Sequence, residues 1–184
     1  MSDGTAQFDR LLNPGFCGIL SAFMAEGASS GRRGLPLVAV YLMMPMVLHR
    51  RTAERIERSS SRGLAEFVHR YPDVLVGLDR RAAMTIPNTR AGLAVAIRRG
   101  ALQFDRRSEE LVATDSIKMA RARLGELLSP DDVRRVEACL KLGKWVGHMT
   151  VALMCDVLSV RPVWGSTDAG SERLATITET ETDL

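Results

Sequence analysis

The segment TRAGLAVAIRRGALQFDRRSEELVAT, residues 89–114, constrains the fold more than any other part of the chain. Leu93 and Ile97 lie one helical turn apart, Asn88 or Thr89 is placed to cap the helix, and Gly100 to close it. In ALQF the residues alternate, with Leu102 and Phe104 on one face; DRRSEE then turns and LVAT returns. A helix, a glycine stop and a hairpin with a charged tip follow in the order of a winged-helix unit. The expected fold is therefore mainly α with a short β-hairpin: a helical bundle containing a winged-helix-like unit.

The longest apolar run, LPLVAVYLMMPMVL at 35–48, is shorter than the roughly 20 residues that span a bilayer and holds Pro36 and Pro45. It reads as buried core without membrane contact. Periodicity leaves helix and strand open, with the preference for a helix kinked at Pro45. Upstream, Asn13 and Pro14 mark a helix start, Phe16, Ile19, Leu20 and Phe23 repeat at helical spacing, and Gly27 suits its end.

A short polar helix is expected over 52–58. Another, capped by Ser60 or Ser61, carries Leu64, Phe67, Val68 and Tyr71 on one face until Pro72. Val74, Leu75, Leu78 and Ala82 mark the next, ending before Pro87. A helix over 117–128 precedes SPDD, a capping Ser129 with Pro130 at the first position and acids on the positive end of the helix dipole. Val136, Cys139, Leu142, Val146 and Met149 continue that helix's apolar stripe, and GHMT breaks it before VALMCDVL. The organisation expected is a flexible N-terminus over 1–12, one globular domain over 13–163 and an acidic disordered tail over 164–184.

The net charge of +3 averages two unlike parts. From 165 to 184 five acids face only Arg173, a net of −4, so residues 1–164 carry +7. Arginine supplies nearly all the basic charge, the lysines being only Lys118, Lys141 and Lys144. A basic body suits an acidic partner, or a tail that screens it. Cys17, Cys139 and Cys155 are odd in number and widely spaced, and no signal peptide precedes them; reduced core cysteines in a cytoplasmic protein are the expectation.

Catalytic patterns are scarce. The Gly143-Lys144 pair is followed by Trp145 and not by Ser or Thr, so no phosphate-binding loop of the Walker type is present. GASSG at 27–31 matches the nucleophile elbow literally, but a helix enters it where the elbow needs a strand; a hydrolase built on Ser29 is a third-ranked reading. His49, His69 and His148 each lack a second ligand at zinc spacing, and no metal or other cofactor is expected. Gly143 and Gly147 form a Gly-x-x-x-Gly, read as a close backbone approach in the core. Trp145 is assigned to the core and Trp164 to a possible interface.

Arginine pairs recur at 32–33, 50–51, 80–81, 98–99, 106–107 and 134–135. Arg90, Arg98, Arg99, Arg106 and Arg107 border the helix and hairpin and are the candidate contacts to a partner or to DNA backbone. Phosphate contacts there would be salt-dependent and blind to sequence. AGLAVAI lacks the polar side chains that base edges require. Arg106 and Arg107 face Glu109 and Glu110 across the turn, which leaves the tip near neutral.

The order of motifs carries a resemblance. NPGFC is followed by LPLVAVYLMMPMVLHRRT, LAEFVHRYPDVLVGLDRRA, IPNTRAGLAVAIRRGALQFD, CLKLGKWVGHM and LMCDVLSVRP. Over roughly residues 13–162 this resembles the middle component of three-component ABC systems, bacterial proteins encoded beside an SMC/Rad50-like ABC ATPase. The resemblance implies a non-enzymatic winged-helix subunit, similar to the small proteins that accompany kleisins, with a genome-conflict or anti-phage role. It also implies that a separate effector supplies the activity, and it carries over no catalytic residues. The acidic tail departs from the family core. An adaptor bridging the ATPase and the effector is the leading reading, with weak non-specific DNA contact allowed; the alternative is a winged-helix DNA-binding regulator.

Overall fold

The computed structural model describes residues 13–29 and 34–160. The expected N-terminal segment 1–12, the Arg32-Arg33 pair, Arg161, Pro162, Trp164 and the acidic tail lie outside these residues. In order, the elements are α1 (Pro14–Ser29), β1 (Leu35–Pro36), α2 (Leu37–Leu48), α3 (Arg50–Arg58) and α4 (Leu64–Arg70). A 3-10 turn (Pro72–Leu75) leads into α5 (Leu78–Arg98), then β2 (Leu102–Asp105) and β3 (Glu110–Ala113). Next are α6 (Asp115–Arg121), α7 (Leu124–Leu127), α8 (Pro130–Val146) and α9 (Val151–Leu158). The fold is mostly helical with one small antiparallel sheet, as expected.

Helix α1 starts where the sequence places it: the Asn13 side chain accepts the Gly15 N–H at 2.7 Å, and Pro14 needs no donor there. It does not stop at Gly27. That glycine is buried inside the helix, and a Cβ on it would overlap the carbonyl of Leu140 on α8. The facing residue Gly143 repeats the arrangement, since its Cβ would overlap the carbonyl of Met24, and Gly147 lies against Ala28. The Gly-x-x-x-Gly is thus the close backbone approach expected of it, made against α1. On another side of α1, a Cβ on Gly18 would stand 2.6 Å from the Gly92 carbonyl of α5. One small-residue helix is therefore clasped between two long ones, without the side-chain layer that usually separates helices.

The apolar run divides. Leu35 and Pro36 pair with Leu111 and Glu110 as an edge strand that the sequence reading missed, giving the sheet order β1-β3-β2. The remaining twelve residues form α2, with Pro45 inside, and Ala39, Val40, Met43, Met44, Met46 and Val47 are fully buried. The core cluster takes buried side chains from every helix named above. Cys17, Cys139 and Cys155 are all buried; burial pushes the Cys17 thiol up to about 11 and raises that of Cys139 as well. Thiols of this kind are packing groups, not nucleophiles.

Pro87 does not end a helix, and Asn88 and Thr89 do not cap one: α5 runs through them unbroken. The ring removes one N–H donor, but Ala83, four residues earlier, lies on the exposed side of the helix, where a carbonyl left without its helical donor costs least. Gly100 closes α5 as expected, at φ 69°, with Ala101 N–H donating to Ala96 O and Gly100 N–H to Ile97 O. The expected helix over 117–128 is broken into α6 and α7 around Ala122 and Arg123. Neither Ser60 nor Ser61 caps α4, whose N-cap position is Gly63; Glu66 reaches back to the Arg62 N–H instead.

Helix α8 begins at the Ser129 N-cap, whose Oγ accepts the Asp132 N–H at 3.3 Å and donates to the Asp132 carboxylate at 2.7 Å. From α8, Lys141 Nζ donates to Glu57 O and Ser59 O and so caps the C-terminal end of α3. Trp145 is buried as expected, its ring 5.4 Å from that of Phe67 on α4.

Gly143→Ala should lower the stability of the protein by about 1–3 kcal/mol through overpacking, although alanine is the better helix former. Gly125→Ala, with no atom within 4 Å of the new methyl, is the matched control and should be neutral or stabilising. Denaturant midpoints check both; equal effects would remove the backbone-contact explanation.

Candidate functional site

Helix α5 and the hairpin place the expected contact residues. On α5 the inward side consists of Leu78, Thr85, Thr89, Gly92, Leu93 and Ala96. The outward side carries Ala83, Met84, Ile86, Pro87, Arg90, Ala94, Ile97 and Arg98. Met84, Ile86 and Ile97 are 48, 39 and 40 % exposed, a large apolar share for a solvent-facing helix side. No acidic residue occurs between Asp79 and Asp105, so the charge along this face is wholly positive.

Arg99 is the C-cap residue of α5 and is exposed, while Arg106 and Arg107 stand exposed at the hairpin tip. A strand of four residues separates the two groups by roughly 13 Å. Register pairs Leu102 with Ala113 and Phe104 with Leu111, so these four share a face. Leu102 and Leu111 are core, whereas Phe104 remains 37 % exposed at the outer end of that face. Asp105 accepts the Arg107 N–H at 2.8 Å and Glu109 takes a left-handed conformation, which together set the tip. Glu110 does not stay with the arginines at the tip; its carboxylate accepts the Gly34 N–H at 3.1 Å beside β1.

A second charged region, which the sequence reading did not assemble, lies at the start of α3. His49, Arg50, Arg51, Thr52 and Arg55 join Asp73, Val74 and Val76 of the 3-10 turn and its exit, and Arg81 of α5, around a cleft of about 500 Å3. Two of the recurring arginine pairs thus contribute to one place, through Arg50, Arg51 and Arg81. Arg81 is held by donating to Val76 O at 2.6 Å and Val74 O at 2.8 Å. Arg55 pairs with Asp73 and lies 5.4 Å from the Tyr71 ring centroid; Arg50 pairs with Glu54 at 3.0 Å. Thr52 bonds His49 Nδ1 at 2.8 Å. Burial first, then the guanidinium groups of Arg81, Arg51 and Arg55, hold the His49 pKa below its ordinary value. The only advance sign was the doubled arginines; their convergence requires the turn at Pro72.

The remaining sequence candidates separate. Ser29 closes α1 and its hydroxyl donates to Ala25 O at 3.0 Å, so no strand leads into it as a nucleophile elbow requires; Ser30 and Gly31 lie outside the described residues. His69 is exposed on α4 and His148 is exposed in the turn after α8. Among the described residues no group of three His, Cys, Asp or Glu is gathered for a metal, and no helix is long and apolar enough to cross a membrane.

The lowered pKa of His49 has a sign that experiment reads. The unfolded chain binds a proton more readily than the folded one between the folded pKa and the ordinary value near 6.5, so stability falls as pH drops through that window. His49→Gln should flatten this dependence between about pH 7.5 and about pH 5, as followed by the thermal midpoint. An unchanged slope would mean that His49 is not held neutral by its surroundings.

No curated protein and no solved structure matches the chain. The family described as ABC-three component (ABC-3C) system Middle Component 3 matches it over residues 1–162, which takes in every described residue. The chain therefore belongs to that family, and as one component of a multi-component ABC system it has protein partners.

Proposed function

We propose that the protein is a non-enzymatic adaptor that bridges an SMC-like ABC ATPase and an effector within a genome-conflict or anti-phage system. The observation that carries this reading is the outward side of α5. It exposes Met84 and Ile86 in its first half and Ile97 in its last turn, with arginine the only charged residue type from Arg80 to Arg99, on a helix fixed from behind by the Gly18–Gly92 contact. A rigid face of this kind suits an amphipathic partner segment with acidic flanks: apolar anchors supply affinity and rim charges supply orientation and encounter rate. Arg90, Arg98 and Arg99 are the rim on the helix, and Arg106 and Arg107 extend it to the wing.

The helix α5 with the hairpin behind it has the order of a winged-helix unit, which we read as turned to protein docking. Its outward side offers base edges no Asn, Gln or Ser between Arg90 and Arg98. Exposed arginines at the helix end and at the tip support weak contact with DNA phosphates as a secondary property.

Co-expression with the ATPase of the same system should yield a complex, and Met84→Glu with Ile97→Glu should weaken it at least about tenfold while the thermal midpoint stays within a few degrees of wild type. A chain that takes up no ATPase at micromolar concentration would overturn the adaptor reading. Reversing Arg98, Arg99, Arg106 and Arg107 to Glu should abolish any duplex binding at low salt and leave the complex of reduced on-rate but intact. Sequence-selective duplex binding by the wild-type protein would instead favour the DNA-binding regulator.

A further inference from the structure

The cleft at the start of α3 has no part in that docking face, and its composition is unusual for a surface depression. Four arginines, a histidine and a threonine line it against one carboxylate, that of Asp73. Clustering like charges raises the energy of the folded state unless an anion relieves it. The acids nearby do so only in part. The Arg55–Asp73 and Arg50–Glu54 pairs lie at the surface, with Asp73 and Arg50 each more than half exposed, where an ion pair contributes about 0–1 kcal/mol and is readily exchanged. Arg51 has no ion-pair partner among the described residues. The bonds from Arg81 go to two carbonyls, which fix the guanidinium in place without cancelling its charge; its Nε is buried with no partner.

Local backbone adds to this. Helix α3 has no side-chain cap at its N-terminus, and the first intrahelical bond is the Ala53 N–H to His49 O, so the N–H groups of Arg50, Arg51 and Thr52 are unused by the helix. They lie on the same element that supplies most of the cleft. Burial first, and then the neighbouring guanidinium groups, lower the His49 pKa, which favours the neutral imidazole that shares a hydrogen bond with Thr52.

We propose that this cleft is a binding site for the polyphosphate group of a small molecule, with Arg50, Arg51 and Arg81 as the principal cationic contacts. Its volume is that of a small-molecule site, and five of its nine lining residues are charged, four of them arginines, so the ligand is selected for charge. Forked guanidinium donors match phosphate oxygens two at a time, and several converging on one cavity match a compact di- or triphosphate. The three walls, which are the α3 start, the 3-10 turn and the α5 start, enclose the charge in a concavity. A nucleic-acid backbone would require a track of arginines leading out of it. Arg81 is pre-placed by its carbonyl bonds, while Arg51 is exposed and Arg50, also exposed, would exchange its surface pair with Glu54 for a ligand.

Titration calorimetry of the full chain with pyrophosphate, orthophosphate and ATP at physiological salt tests the site. Pyrophosphate and ATP should bind saturably, one per chain, and orthophosphate at least about tenfold more weakly because it engages fewer forks. Arg50→Ala with Arg51→Ala should weaken pyrophosphate by about tenfold or more, whereas Arg106→Ala with Arg107→Ala should leave it unchanged. Both double variants alter exposed side chains, so unchanged circular dichroism and thermal midpoints are expected, and a loss of binding then reports the site and not the fold. A conservative Arg51→Lys change should restore part of what alanine loses. Non-saturable pyrophosphate binding, equal affinity in the Arg50/Arg51 variant, or tight duplex DNA binding at the cleft that pyrophosphate does not displace would each overturn the proposal. Complex formation with the ATPase is measured separately, so failure of this site leaves the adaptor reading standing.

Discussion

The contact on which the rest of the structure depends is backbone against backbone, where α1 meets α8 at Gly27 and Gly143 and meets α5 at Gly18 and Gly92. Helices normally keep their axes 8–10 Å apart because side chains intervene. Removing the side chain on both partners lets peptide groups touch, which multiplies the number of close-packed atoms and leaves little freedom to slide. It also makes the site intolerant: a single methyl has no void to enter. Helix α2, apolar on all sides, is then covered by α5 and α8, which α1 has already brought into position.

That clasp decides which surfaces remain for function. Because α5 directs its small residues and Leu93 toward α1, its opposite side must carry whatever is left, and what is left is apolar and arginine-bearing. A helix 21 residues long held along its inner face is a stiff platform, which lowers the ordering cost when a partner docks. At its other end the same helix delivers Arg81 to the cleft, while α3 is oriented by Lys141 from α8 and by packing on that helix. The two charged regions thus sit on different parts of one rigid frame.

Much of this was legible in advance, and for identifiable reasons. Asn13, Ser129 and Gly100 act on backbone groups within a few residues, so local chemistry suffices to place them. The Gly-x-x-x-Gly pattern announced a close approach because glycine in a helix interior is costly unless something uses the missing side chain. The errors share one feature, a local breaker overridden by distant contacts. Gly27 looked like a helix stop and is a packing surface for Leu140; Pro87 looked like a boundary and lies inside the helix, on its exposed side. The two-residue strand Leu35–Pro36 has no signal of its own, since only pairing with β3 makes it a strand. Among site residues, Arg90, Arg98, Arg99, Arg106 and Arg107 are all exposed, whereas the convergence of Arg50, Arg51, Arg55 and Arg81 across more than thirty residues of chain was invisible.

What the sequence alone determined, then, was the class of fold, the positions of the capped helix ends, the hairpin, the arginine-rich exterior and the family to which the motif order points. These follow from interactions that span at most a turn or two, or from patterns that persist along the whole chain. The tertiary structure alone decided which glycines are contacts, that α5 continues through its proline, how the apolar run divides between strand and helix, and where separated arginines meet. Each of those depends on atoms far apart along the chain, whose mutual distance is set only when α1 closes against α5 and α8.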